Sequence, residues 1–466
     1  MAKQLKKIFV PTTDEIAQNF IIESWHVSQS VDAFTGVEDY DILISGSLQI
    51  SGTLNNGVQN SASNFSHAEG YGVTSSGYFS HAEGILSTST GTGSHAEGNS
   101  TTASGDWSHA EGVANLAQGN KSHAEGDSNQ SIGVASHVEG IFNYSTGDYS
   151  HAEGAGNTSP GIGSHAEGNN TISSGSYSHT EGHFTITTKD YTHAEGYRTS
   201  GSGRYSHAEG YRTETLATAS HAEGKLTQTI GNYSHAEGDL TLAFGVASHA
   251  EGYRTLAFGV ASHAEGYYTT SSGNYSHAEG SITTAKGAFS HAEGYNTLSS
   301  GSNSHAEGIE TLSSGDNSHA EGANTTSSGW YTHAEGGYTE ATGIGTHAEG
   351  IWSRAESLYS HAGGLQVTSS IPVQTAFGQF NNSSYSNNEI FVIGYGADAS
   401  SRADALQVRG GTGEVIIPKK NNNNINGPGL YFGPPGPGGF RIVHDTGVLH
   451  IQKWNGTQYT TIYTFS

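Results

Sequence analysis

The chain has 466 residues, 66 of them glycine, with only 33% hydrophobic and 13% charged residues, which is poor material for a large globular core. Its 43 acidic residues against 18 basic ones give a formal net charge of −25, which disfavours nucleic acid as a partner. The absence of cysteine excludes disulfides and thiolate metal sites, and the absence of any run of 18 apolar residues excludes a membrane-spanning helix.

Residues 1–64 read as a separate N-terminal docking or capping module. The opening, MAKQLKKIFVPTTDEIAQNF, has lysines but no apolar core before Pro11 and no small-residue cleavage site, so no secretory leader is expected. Ile16 to Val27 is mixed and fits a short helix or a strand. Tyr40 to Ile50 alternates apolar and polar residues, which predicts strands turning toward the central part of the chain. Asn55, Asn56 and Gly57 read as a turn. Such a module either docks to a larger assembly or covers the open strand edges at the end of a stack.

From Ser66 to Gly364 the string SHAEG, or a near variant, returns every 14 residues, 22 times, with His67 the first repeat histidine and His361 the last. A fixed short period means one small unit copied and stacked, which assigns residues 65–371 to a solenoid shaft. With SHAEG as places one to five, a second glycine stands at place twelve in 18 of the 21 complete units. Two glycine corners that need φ > 0, separated by segments rich in Ser, Thr and Ala, predict two short strands per unit. A coiled coil fails, because glycine at every seventh place costs a helix about 1 kcal/mol each time and no apolar seam exists.

The expected fold class is therefore all-β, a fibrous parallel β-roll or solenoid with small β-rich terminal domains. Rungs stacked about 4.8 Å apart make a shaft roughly 100 Å long. Alternation puts Ser and Ala (places one and three) inside with the small residues of places eight and ten, and puts His and Glu (places two and four) on one outer face. Places seven, nine and eleven vary freely, whereas the His–Glu face does not. The pairs His67 with Glu69, His81 with Glu83, His95 with Glu97, His235 with Glu237 and His347 with Glu349 sample the resulting ladder, and an equally periodic copy of the chain is the expected cover. Place fourteen is aromatic in 11 of 21 units, Trp107, Tyr149, Tyr233 and Phe289 among them, and is expected to margin this interface. Stacked carboxylates repel, so each glutamate is expected to hydrogen-bond the histidine two residues away; if that raises the histidine pKa values, the stabilisation is greatest at low pH.

Other chemistry in the string is weaker. Adjacent Ser and His point to opposite faces, so no nucleophile triad forms and no catalytic residue is assigned. An H-x-E pair lacks the cysteines of zinc deaminases. A metal ladder on imidazole and carboxylate is the more serious reading, and His–Glu pairing is preferred to it, with no metal or other cofactor assigned.

Beyond the array, Ile371-Pro372 is expected to break the period. Residues 372–420 form a β-rich neck, 421–439 an Asn/Gly/Pro-rich linker with GPPGPGG as a tight loop, and 440–466 a small domain of three antiparallel strands. Tyr431, Phe432, Trp454, Tyr459 and Tyr463 cluster there. Their ordinary role is the core of that domain, and a sugar-binding tip is the functional alternative.

The 14-residue unit with its S-x-A-x-G core and second glycine seven residues on is similar to the head repeats of trimeric autotransporter adhesins, and its SHAEG version resembles repeats in tail-fibre proteins of bacteriophages and prophages. The likeness covers about 300 of the 466 residues. Phe391 to Gly396, Arg402 and Ala405 to Val408 resemble the segment that comes after SHAEG repeats in phage fibres. The resemblance implies a left-handed parallel β-roll, a homotrimer, phage baseplate or tail proteins as partners, host-surface glycan as a ligand, and a virion location after synthesis in the host cytoplasm. The adhesins carry apolar residues where this chain has His and Glu. Three functions are expected in turn: a virion tail fibre with a C-terminal recognition tip, a cellular surface adhesin or filament, and, third, an ice-binding solenoid using the threonines of place eight.

Overall fold

The computed structural model describes residues 60–383, 389–411 and 415–416, together with strand segments at 3–4, 40–41, 54–58, 429–432, 440–445, 448–454 and 458–465. Among these there is no helix, and so none long and apolar enough to cross a membrane. The molecule is all-β, a parallel solenoid of about 24 turns with 14-residue repeats. Each turn contributes one five-residue strand, such as His235–Asp239, and one two-residue strand, such as Leu242–Ala243. Long strands pair only with long strands and short with short, always parallel and always fourteen residues apart within the array: His235 faces His249, Glu237 faces Glu251, and Leu242 faces Leu256.

The interior is thin because its residues are small. Ala236, Ala243, Ala250 and Ala257 are fully buried, as are the serines of place ten and the hydroxyl residues or asparagines of place eight. Place eight is Asn at 115, 129, 143 and 157 and Thr in every rung from Thr171 to Thr339. The Asn129 amide donates to the Glu125 carbonyl at 2.5 Å and to the Gly140 carbonyl of the next rung at 2.7 Å, while its Oδ1 accepts the Asn143 amide at 2.8 Å. The threonines fill the same volume differently, and from Thr185 to Thr339 their Oγ1 atoms are buried without a hydrogen-bond partner.

Three places of the SHAEG string have an intramolecular explanation. The place-one hydroxyl donates to the place-twelve carbonyl three residues before it, as in Ser94 to Gly91 at 2.7 Å and Ser276 to Gly273 at 2.6 Å; where threonine substitutes, Thr332 does the same to Gly329 at 2.7 Å. Place three has room only for a small side chain. The place-five glycine adopts φ near +100 to +124°, and an added Cβ on Gly238 would lie 2.1 Å from the Gly252 carbonyl oxygen.

The corners differ from expectation at place twelve. Those glycines do not have positive φ; they are required because rungs approach closely there, an added Cβ on Gly245 standing 1.8 Å from the Gly259 carbonyl oxygen. The left-handed residues are instead at places seven and fourteen of every rung, mostly non-glycine: Leu226 at +56°, Tyr233 at +59°, Leu240 at +62° and Ala261 at +50°. Ladder bonds hold them in this disfavoured region. The Trp107 amide donates to the Thr92 carbonyl at 2.7 Å, and the Leu226 amide to Tyr211 at 2.9 Å.

The solenoid extends past both expected ends. Leu54–Val58 pairs with His67–Tyr71, so Asn55, Asn56 and Gly57 lie in a strand of the ladder and not in a turn. Ile371 and Pro372 are accommodated at places twelve and thirteen; Thr375–Gln379 stacks on His361–Leu365, and Glu389–Tyr395 stacks in parallel on Thr375–Gln379. Only then does the direction reverse, with Asp404–Arg409 antiparallel to Glu389–Tyr395. Arg402 Nη1 donates to the carbonyls of Gln366 and Asn381 at 2.9 and 3.1 Å, tying the neck to the final rungs. The C-terminal sheet has four antiparallel strands, not three, because Gly429–Phe432, placed in the linker by sequence, pairs with Phe440–Asp445. Ile16 to Val27 and the GPPGPGG loop lie outside the described residues.

Candidate functional site

Parallel register carries every place-two histidine onto the next. All 21 consecutive pairs from His67 to His361 stack face to face, ring centroids 4.5 to 4.9 Å apart and planes within 2 to 16°. The place-four glutamates form a second column beside them. In most rungs Nε2 lies 3.4 to 3.9 Å from Oε2 of the glutamate two residues on, as in His67 with Glu69 (3.7 Å), His81 with Glu83 (3.7 Å), His95 with Glu97 (3.8 Å) and His235 with Glu237 (3.9 Å). At the far end the pairing shifts one rung back, His347 to Glu335 and His361 to Glu349, both at 3.5 Å.

The two columns thus share a face, but the expected hydrogen bonds are not made within one chain. The 22 Nε2 atoms are shielded from solvent without a hydrogen-bond partner, although each ring as a whole is about one-third exposed. The imidazole pKa values move down, not up. Burial holds His95, His123, His193 and His263 below the ordinary value, with stacked neighbours adding to it, and His151 falls to about 4. A protonated ring between two stacked rings loses hydration and meets like charge, and the carboxylate offsets only part of this. Along the glutamate column, carboxyl–carboxylate hydrogen bonds from Glu97 and Glu125 raise Glu111 to about 7 and lower its two neighbours. A shallow groove of ≈ 580 Å³ runs along this column over five rungs, walled by Glu69 to Glu125 and the glycines beside them.

Sets such as His193, Glu195 and His207 bring possible metal-ligating atoms within 4.8 Å of one another. Stacked parallel rings aim their lone pairs side by side and not at one point. An ion about 2.1 Å from each of two Nε2 atoms needs them no more than about 4.2 Å apart, less than the ring spacing. One chain therefore offers an ion one imidazole and one carboxylate per rung, as with His193 and Glu195 at 3.4 Å, and not a closed site. The place-one serines are buried while the histidines face outward, so the adjacent Ser and His of the string do not meet.

Place fourteen is exposed, with Trp107 at 64% and Tyr149 and Tyr233 at 68%, and Tyr177, Tyr191 and Tyr205 stack at 5.4 and 5.1 Å. The place-eight threonines face inward, which removes the surface that ice binding requires. Of the C-terminal aromatics, Tyr431 and Phe432 are on strand Gly429–Phe432, Trp454 pairs in register with Tyr459, and Tyr463 pairs with Ile451 and is 65% exposed; the side chains of the other four lie outside the described residues. One surface feature went unread in the sequence, although a thrice-repeated Tyr-Arg-Thr triplet marks it: a strip of stacked tyrosines and arginines at places six and seven between His183 and Tyr268.

Comparison with protein-family models and with curated proteins returned no match. The fold, a fibrous β-solenoid, is of the kind that serves structural and adhesive roles.

Proposed function

We propose that this chain is the rigid shaft of a trimeric virion appendage, a tail fibre that holds a C-terminal recognition domain away from its anchor. The observation that carries this reading is the division within SHAEG: Ser, Ala and Gly are each used by the fold of one chain, whereas His and Glu are not. An unchanging outward ladder of imidazoles and carboxylates, each about one-third exposed, is matched by a partner of identical pitch, and copies of the same chain around a common axis provide one. Sister chains covering the ladder would bring donors and acceptors to Nε2 atoms that a single chain leaves unpaired.

Mass measurement in solution tests the assembly. The expected particle is three times the 48.6 kDa chain, and a monodisperse monomer overturns it. Labelling with an antibody against the shaft tests the setting: decoration of particles released on lysis supports the tail fibre, and decoration of intact producing cells supports a surface adhesin instead.

A further inference from the structure

We propose that the corner formed by places six and seven between His183 and Tyr268 binds a linear acidic polysaccharide lying along the shaft. Of the nine lysines and arginines in residues 65–371, six fall between Lys189 and Arg254. Every cation on this corner of the shaft array belongs to the strip: Arg198, Arg212, Lys225 and Arg254. Lys225 is 3.0 Å from Asp239, but Arg198, Arg212 and Arg254 form no ion pair among the described residues. The repeat carboxylates three residues before each arginine, Glu195, Glu209 and Glu251, sit by their own histidines at 3.4, 3.5 and 3.5 Å.

The three arginines are exposed and carried on aromatic rings. Arg198 lies 5.5 Å from the Tyr197 ring centre and 5.7 Å from Phe184, Arg212 5.6 Å from Tyr211, and Arg254 5.6 and 5.1 Å from Tyr253 and Tyr268. The rings stack down the corner, His183 on Tyr197 at 5.3 Å and Tyr197 on Tyr211 at 5.2 Å, with Tyr253 on Tyr267 at 5.3 Å farther along. Ring and guanidinium planes pack on one another along this corner, Arg254 Nη1 donating to the Tyr268 hydroxyl at 2.7 Å, and the three arginines stay exposed. That combination takes carboxylate or sulfate groups bidentately and lets sugar hydroxyls bond beside them. Arg198 and Arg212 are on successive rungs and Arg254 is three rungs on, a charged row within a strip roughly 30 Å long. A flexible linear chain of spaced anions suits this row, whereas the denser charge of nucleic acid meets the repulsion of the surrounding acidic shaft. The inference rests on the fold alone and does not require the assembly proposed above.

The test uses the full chain and four immobilised probes: alginate, dextran sulfate, neutral dextran and single-stranded DNA. The triple variant R198N/R212N/R254N removes the row while placing at each site a residue that tolerates φ near +55°, as Asn170, Asn296 and Asn324 already do at this place. The charge-matched control is K121N/K189N/K286N. The expected result is binding to alginate or dextran sulfate that falls about tenfold or more in the arginine variant and is kept by the control, with both variants melting like the parent chain. Binding to neither acidic polysaccharide, equal binding to neutral dextran, tighter binding to DNA, or equal loss in both variants overturns the proposal.

Discussion

One glycine and one alanine show how differently a single carbon acts along this backbone. At Gly245 a methyl group meets the next rung's carbonyl oxygen at 1.8 Å, while Ala261 is already in the left-handed region at +50°. Gly245→Ala should lower the midpoint of thermal unfolding, at a cost of roughly 1–3 kcal/mol, and Ala261→Gly should raise it by about 1 kcal/mol, the reverse of the usual helix-based intuition. The weak bond from this amide to the place-ten carbonyl of the next rung, present for Gly231 to Ala243 at 3.4 Å, is missing at Lys189, Ala217 and Ser357, and also at Gly175, whose next rung carries Lys189. Glycine recurrence was legible as a corner signal; its cause at place twelve was not. Close approach between rungs is a property of the stack, and no residue type announces it. The left-handed tyrosines and leucines of places seven and fourteen were hidden for the same reason, since the ladder imposes their conformation against local preference.

Within the rung, the two ways of filling place eight make opposite demands. Asn129 satisfies two carbonyls and an amide, so Asn129→Ala leaves buried polar groups unpaired and should destabilise by about 1–3 kcal/mol. Thr255 buries a hydroxyl without a partner, so Thr255→Val should be neutral or stabilising by up to about 1 kcal/mol. Denaturant titration of the two variants side by side checks the contrast. Strand order, register and the inward set of places one, three, eight and ten were readable from period, alternation and residue size, because a two-residue alternation leaves two faces and only one of them is small throughout. The rungs at Leu54–Val58, Thr375–Gln379 and Glu389–Tyr395 were not, because they keep little of the motif beyond the place-five glycine, Gly57, Gly378 and Gly394, after the His and Glu have gone.

At the scale of the molecule, the histidine column makes stability depend on acidity. Twelve of the 22 repeat imidazoles have folded pKa values held below the ordinary 6.5, burial first among the causes. The unfolded chain then binds more protons below pH 6.5, so these groups leave stability intact above that value and withdraw it as pH falls toward about 4, the level of His151. Glu111, raised to about 7, acts in the opposite sense, as do Glu153 and Glu279, which burial raises; each loses its contribution as pH rises through its folded value, but they are three sites against twelve. Melting temperature should therefore drop between pH 7.5 and 4.5; a constant or rising value over that interval would contradict the column's burial. The sequence-based expectation, of a continuous His–Glu network at a subunit interface that favours low pH if it raises the histidine pKa values, ran the other way, because it left out the rings above and below.

Because every long strand meets its successor in the same register, the ladder has no memory of how many steps precede a given one. Excising or duplicating a fourteen-codon block leaves both ends and all remaining joints as they were, and alters reach by about 4.8 Å per block. Reach is thereby a quantity adjusted in fixed increments, with no need to redesign either terminus.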